Sequence, residues 1–312
     1  MQQCTTMPKQ WIEFTHEKYP MTQTLDKSTL DQWYCIQNLA DIPKSGMRTR
    51  LLGVDLTISG GSAPLVTTCE AKGNRSLPMR QRYGYLWSTL GLPNTDVPDI
   101  PEAEEADRRY VPCGAVKVRS SAPRVIENFL DMAHFPFVHK DILGSEAHSE
   151  VEKYKCEIRR DVDEVWATDC VFTQPLAAKS ATEPLRTDYI YRVTTPFTVL
   201  LYKTCPISQT RWDVICLFVQ PMEPGLSRAH PVMFLLDVDS SDADLIAFQQ
   251  VIFLQDRIIL ENQRPLLLPL EARVETPTRA DATSIAYRRW LKEKGCVYGT
   301  TLGPALPENH VA

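Results

Sequence analysis

Between residues 150 and 238 lie six strand-like segments in succession, without an internal sequence repeat. EVEKYKCEIRRD, EVWATDCVFTQ, TDYIYRVTT, TVLLYKTC, WDVICLFVQPM and AHPVMFLLDV are short segments rich in β-branched and aromatic residues. At this spacing they read as consecutive strands of an antiparallel meander. Helical segments flank the run. Upstream, a strand over GAVKVRSS (114–121) leads into a helix through RVIENFLDMAH, with Ser120 or Ser121 as N-cap and Pro123 in its first turn. Downstream, SDADLIAFQQVIFLQDRIILENQRP (241–265) reads as one long helix with Asp242 or Asp244 near its start and Pro265 past its end. A last helix over ADATSIAYRRWLKEKG (280–295) stops at Gly295. Residues 111–312 are therefore expected to form an α+β domain, an antiparallel sheet with helices packed on it.

The first third is patterned differently. Residues 1–30 are polar and read as an irregular lead-in, and residues 31–110 as a small β domain. RTRLLGVDLTI (48–58), closed by Gly60-Gly61, suggests one or two strands and a turn, and RYGYLWSTLG (82–91) suggests another strand. The Pro- and acid-rich stretch 92–109 reads as an extended linker. With 34 basic and 39 acidic residues, a net charge of −5 and no basic run, nothing marks a partner of nucleic acid or anionic membrane. No apolar stretch is long enough to span a bilayer, and the first residues lack the apolar region of a signal peptide. Nine cysteines without a CxxC pair suit reduced thiols in a cytoplasmic protein.

Histidine is scarcer, at six, and two of the six stand five apart. Asn128, Asp131 and His134 step by three, which places them along one helix face and lets Asp131 bond one imidazole nitrogen while the other stays free as a ligand. Pro136 is expected to end that helix and turn the chain so that His139 comes back toward His134. Phe135, Phe137 and Val138 would make the surroundings apolar. The bland alternative is a pair of structural histidines. A third ligand should be a buried acid, and Asp256 lies on a stripe of the long helix with Leu245, Phe248, Ile252, Ile259 and Gln263. A carboxylate there is costly without a compensating cation, although a core salt bridge would also serve. Glu261, four residues after Arg257, reads as half of a surface pair. Two imidazoles and one carboxylate make the facial triad of a mononuclear non-haem iron(II) site, with open positions for O₂ or substrate. A structural zinc would call for four closed ligands, commonly thiolates. There is no GxSxG, P-loop or HExxH motif, and His148, His230 and His310 have no comparable partners.

With these residues in place, the chain resembles the catalytic subunits of Rieske-type non-haem iron oxygenases. Asn128, Asp131, His134 and His139 match that family's N…D-x2-H-x4-H motif, and Gln255-Asp256 with Leu260, Glu261 and Gln263 matches the helix that carries its third ligand. The resemblance implies a helix-grip-like catalytic domain, Fe(II) at His134, His139 and Asp256, a role for Asp131 in orienting His134 and relaying electrons, and a lesser role for Asn128. It departs in one respect. A Rieske [2Fe–2S] cluster needs a Cys-x-His and a Cys-x2-His pair, and before His134 the chain has only His16. The region 31–110 thus resembles a degenerate Rieske domain without its cluster. Within the family the chain is similar to the cluster-less N-demethylase subunits of bacterial methylxanthine degradation. That likeness implies conversion of 7-methylxanthine to xanthine and formaldehyde with O₂ and NADH-derived electrons. It also implies a flavin- and ferredoxin-containing reductase that brings the Rieske cluster, a glutathione-transferase-like structural partner and a homotrimeric core. Two alternatives stay open: hydroxylation or O-demethylation of another aromatic or heterocycle, and a non-catalytic structural subunit.

Overall fold

A computed structural model describes residues 25–70, 73–175, 185–205 and 207–306. Most of the expected lead-in, with His16, and also His310, lie outside the described residues. Residues 25–30 do not continue an irregular segment: Asp26 caps a one-turn helix, α1 (Lys27–Leu30).

The first part contributes β1 (Tyr34–Asn38), β2 (Met47–Leu51), β3 (Val54–Ile58), β4 (Val66–Thr68), β5 (Met79–Arg82) and β6 (Tyr85–Ser88). They form two three-stranded sheets, β1-β6-β5 and β2-β3-β4. Each contains a hairpin whose two turn residues both have positive φ: Leu52 and Gly53 at 51° and 84°, Tyr83 and Gly84 at 55° and 73°. That backbone twist matches the twist of the flanking strands. The second turn divides the segment expected as a single strand over 82–91.

Next come β7 (Arg109–Pro112), β8 (Val116–Val118), α2 (Ala122–Leu130), α3 (Phe135–Val138), β9 (Lys155–Arg159), β10 (Glu164–Gln174), β11 (Leu185–Thr195), β12 (Thr198–Cys205), β13 (Ser208–Glu223), β14 (Leu226–Leu235), α4 (Asp242–Asn262) and α5 (Ala282–Lys294). From β9 to β14 every strand pairs antiparallel with the next, the meander expected from the sequence. β7 and β8 pair with different stretches of the outer edge of β14. Ser241 caps α4, and Gly295, in the left-handed region at φ 69°, ends α5.

The large sheet is covered on both faces, which explains the nearly continuous apolar run of β13. Leu200, Val214, Cys216 and Phe218 pack against Trp33, Cys35, Tyr85 and Trp87 of the first part. Their strand neighbours Val199, Leu201, Leu217 and Val219 face the helices, in a core that extends from Leu25 to Tyr298. The stretch 92–109 is not a free linker: Val97 and Ile100 are buried in the first of these clusters, and residues 101–104 form a 3-10 turn. All eight described cysteines are free thiols. Among the described residues, no helix is long and apolar enough to cross a membrane.

Candidate metal centre

The helix carrying Asn128 ends sooner than its sequence suggests. α2 stops at Leu130, and Asp131 has extended backbone angles (φ −85°, ψ 128°). The cause is local: Asp131 Oδ1 accepts from Ala133 N at 2.7 Å, an Asx turn that competes with the next helical hydrogen bond. Asp131 and His134 therefore meet across a turn, not along a helix face. Pro136 also acts differently from expectation. It occupies the first turn of α3, where a missing N–H costs nothing. His134 and His139 flank this single turn, and their rings converge with centroids 4.9 Å apart.

Asp256 arrives from α4, whose buried face is Gln249, Ile252, Phe253, Asp256 and Leu260. This face is rotated slightly from the expected stripe, and Ile259 is exposed. Asp256 Oδ1 lies 3.3 Å from His134 Nε2 and 3.0 Å from His139 Nε2, and the two nitrogens are 3.1 Å apart. The other face of each ring is engaged. His134 Nδ1 is 3.1 Å from Asp131 Oδ2, and His139 Nδ1 is 2.8 Å from Gln255 Oε1. Both partners are acceptors, so in neutral rings Nδ1 carries the proton and Nε2 presents a lone pair.

Two lone pairs and a carboxylate oxygen thus face one another, and that buried oxygen has no hydrogen bond. Such a cluster repels itself unless a cation sits among its members. Three donors about 2.1 Å from one cation and at right angles to each other stand about 3.0 Å apart, close to the separations found. The donor set therefore fits a divalent metal. Burial by itself would lower the pKa of His134, but the Asp131 and Asp256 carboxylates outweigh it and raise the ring to about 9. Burial pushes the Asp256 carboxyl up, and the two imidazoles more than reverse that.

A cavity opens onto the triad. Its apolar lining includes Phe129, Phe135, Leu201, Phe248, Ile252 and Phe253, and Asn128 also borders it. Sequence reasoning missed the polar residues that line it from the sheet, Gln174, Tyr189, Tyr191 and Lys203, and missed Gln249 on α4. It named Gln255 only as part of a motif, without its contact to His139. Glu261 bonds the expected Arg257 at 3.0 Å, but it is half-buried and not a solvated surface residue, and it also accepts from the backbone of Arg119 at 3.0 Å. His148 is exposed, and His230 is buried with Nε2 3.4 Å from Gln220 Oε1.

A long helix that returns a carboxylate to two histidines beneath an antiparallel sheet is the framework of a non-haem iron oxygenase subunit. Residues 118–295 match the vanillate O-demethylase oxygenase C-terminal domain. The chain is 47% identical to a probable methylxanthine N7-demethylase of Pseudomonas sp. strain TJI-51, over 88% of this chain and 97% of the relative. It is 25% identical to a methylxanthine N1-demethylase of Pseudomonas putida, over 75% of this chain and 66% of that one. The structure of NdmA from Pseudomonas putida CBB5 with caffeine superimposes with a TM-score of 0.70 at 18% identity, covering 86% of this chain and 92% of the other. Dicamba monooxygenase bound to dicamba superimposes at 0.67 and 14% identity, covering 86% and 98%. The chain belongs to the Rieske-type non-haem iron oxygenases, a family whose catalytic subunits hold a mononuclear iron.

Proposed function

We propose that this chain is the iron-bearing subunit of an oxidative N-demethylase that converts 7-methylxanthine to xanthine and formaldehyde. The observation that carries the iron chemistry is the cluster of His134, His139 and Asp256, whose facing ligand atoms all lie within 4.8 Å of one another. The substrate class is supported by the N7-demethylase relative. The domain match to a vanillate O-demethylase would favour an aromatic O-methyl ether, but a relative aligned over nearly its whole length weighs more.

Bound at the triad, iron(II) supplies the activation of O₂ that oxidises an N-methyl group. Consumption of O₂, two electrons and two protons yields water and a hemiaminal, which collapses to formaldehyde and the N–H product. The chain's residues do the rest. Asp131 and Gln255 fix the ring orientations of His134 and His139 and keep each Nδ1 protonated. Phe129, Phe135 and Phe253 exclude water from the cavity, and Asn128 borders the place where substrate would sit. We assign to Asp131 the relay of electrons from outside, a role supported by its contact with His134 and its exposure of about a quarter.

In this reading residues 31–110 are a Rieske-like domain without its cluster, and 111–312 the catalytic domain. No Cys-x-His or Cys-x2-His pair occurs in the sequence, which supports delivery of electrons by a separate Rieske-containing reductase. A glutathione-transferase-like partner, a homotrimeric core and a cytoplasmic location complete the proposal, the last supported by the free thiols. The test is reconstitution of the full chain with Fe(II), NADH, a Rieske-containing reductase and 7-methylxanthine. Xanthine and formaldehyde should appear in equal amounts. Equal turnover with a reductase lacking the Rieske cluster would refute the electron route, and turnover of vanillate alone would refute the substrate.

A further inference from the structure

The cavity has two unlike walls. Its helical wall carries the triad. Its sheet wall carries buried polar atoms that the protein itself leaves without hydrogen bonds: Gln174 Oε1, Tyr189 Oη and Tyr191 Oη, on residues exposed by 2%, 1% and 1%. Native interiors hydrogen-bond nearly all such groups, so water or a ligand in the cavity is the partner expected for them. All three lie on adjacent strands. Tyr189 and Tyr191 alternate along β11 with their rings stacked at 6.3 Å, and Gln174 ends the neighbouring β10.

A charged residue stands beside them. Lys203 is directly opposite Tyr189 in the β11–β12 register and also lines the cavity. Its other neighbour in register is Asp213 on β13, itself buried. Burial lowers the ammonium to about 8, against the pull of Asp213. The Asp213 carboxylate beside it offsets the charge of the ammonium, which makes this wall a poor seat for a ligand carboxylate. The wall offers hydroxyl and ammonium donors to ring carbonyls, and at Gln174 an acceptor for which the donor on a lactam ring is its N–H.

We propose that Gln174, Tyr189, Tyr191 and Lys203 form a template that positions an uncharged ring lactam, its carbonyls toward the tyrosines and lysine and an unmethylated ring N–H toward Gln174. The template selects by methylation state: a heterocycle with a free ring N–H binds, and one with every ring nitrogen methylated leaves Gln174 unpaired. A site built around a polar partner rejects the analogue lacking it far better than an apolar pocket rejects an extra methyl. These are positioning residues that set which substrate reaches the iron, and the assignment rests on the N-demethylase reading above.

The test is equilibrium binding to the metal-free full chain, wild type, Gln174→Met and Tyr189→Phe, with 7-methylxanthine, caffeine and vanillate as ligands. Wild type should bind 7-methylxanthine at least tenfold more tightly than caffeine. Gln174→Met should erase that preference by weakening 7-methylxanthine alone, and Tyr189→Phe should weaken both xanthines. Because each substitution removes an unbonded buried oxygen, thermal midpoints should stay level or rise, separating the loss from misfolding. An undiminished preference in Gln174→Met with unchanged binding in Tyr189→Phe would overturn the template and leave the demethylase reading intact. Vanillate binding tighter than either xanthine in wild type would overturn both.

Discussion

His139 and Gln255 meet at 2.8 Å, Nδ1 to Oε1, so that two successive residues of α4 grip opposite sides of one imidazole: Gln255 at Nδ1 and Asp256 at Nε2. The amide holds the ring in the tautomer that turns a lone pair toward Asp256. Gln255→Leu should keep the fold and weaken Fe(II) binding by about 10- to 100-fold, the usual effect of losing such a partner. Competition titration against a chelator measures it, and an unchanged affinity would remove Gln255 from the site.

Asp131 does two things at once, accepting from Ala133 N and from His134. Asp131→Asn keeps the turn and removes the charge. It should retain iron and lower turnover at least tenfold. Single-turnover oxidation of the iron in chain reduced chemically beforehand should change much less, because that route bypasses the relay. Equal losses in both assays would assign Asp131 a positioning role alone.

The helix bearing Asn128 is anchored by ionic contacts away from the cavity. Arg124 is fully buried, with Nη1 3.1 Å from Glu127 Oε2 and Nη2 3.0 Å from the Pro265 carbonyl, and it also pairs with Glu275. Arg124→Met strands Glu127 beside only Arg288, so the variant should lose about 3–5 kcal/mol, the cost of breaking a buried pair from one side. Urea unfolding reads this directly, and a loss below about 1 kcal/mol would show the network to be solvent-screened.

Burial and the nearby Arg228 depress His230 to about 3, so its folded pKa lies below the unfolded value. Between the two the unfolded chain binds more protons. The stability it confers is therefore present above about pH 6.5 and is lost as pH falls toward 3, at up to about 1.4 kcal/mol per pH unit. His230→Gln should flatten the fall in stability between about pH 6 and pH 4. A slope identical to wild type would place the acid sensitivity elsewhere.

The strands were legible because their residues say the same thing locally and globally: TVLLYKTC and EVWATDCVFTQ coincide with β12 and β10 to the residue. The end of α2 was not, because a helical spacing of Asn128, Asp131 and His134 cannot reveal that the Asp131 side chain bonds its own backbone two residues on. The three triad residues were legible as histidines and an acid in apolar surroundings. Their supports were harder. Gln255 sits a hundred degrees around α4 from Asp256, off any stripe, and Tyr189 and Tyr191 read as ordinary core positions of an alternating strand. Only the register that sets Tyr189 against Lys203 shows that they share a cavity wall.

His134, His139 and Asp256 together are expected to hold one iron. The most direct measure of this is anaerobic titration of metal-free chain with Fe(II), comparing wild type with His139→Ala and Asp256→Ala. Wild type should saturate at one iron per chain and both variants should lose high-affinity binding while keeping a wild-type circular dichroism spectrum. Undiminished iron binding in both variants, or none in wild type, would contradict the account.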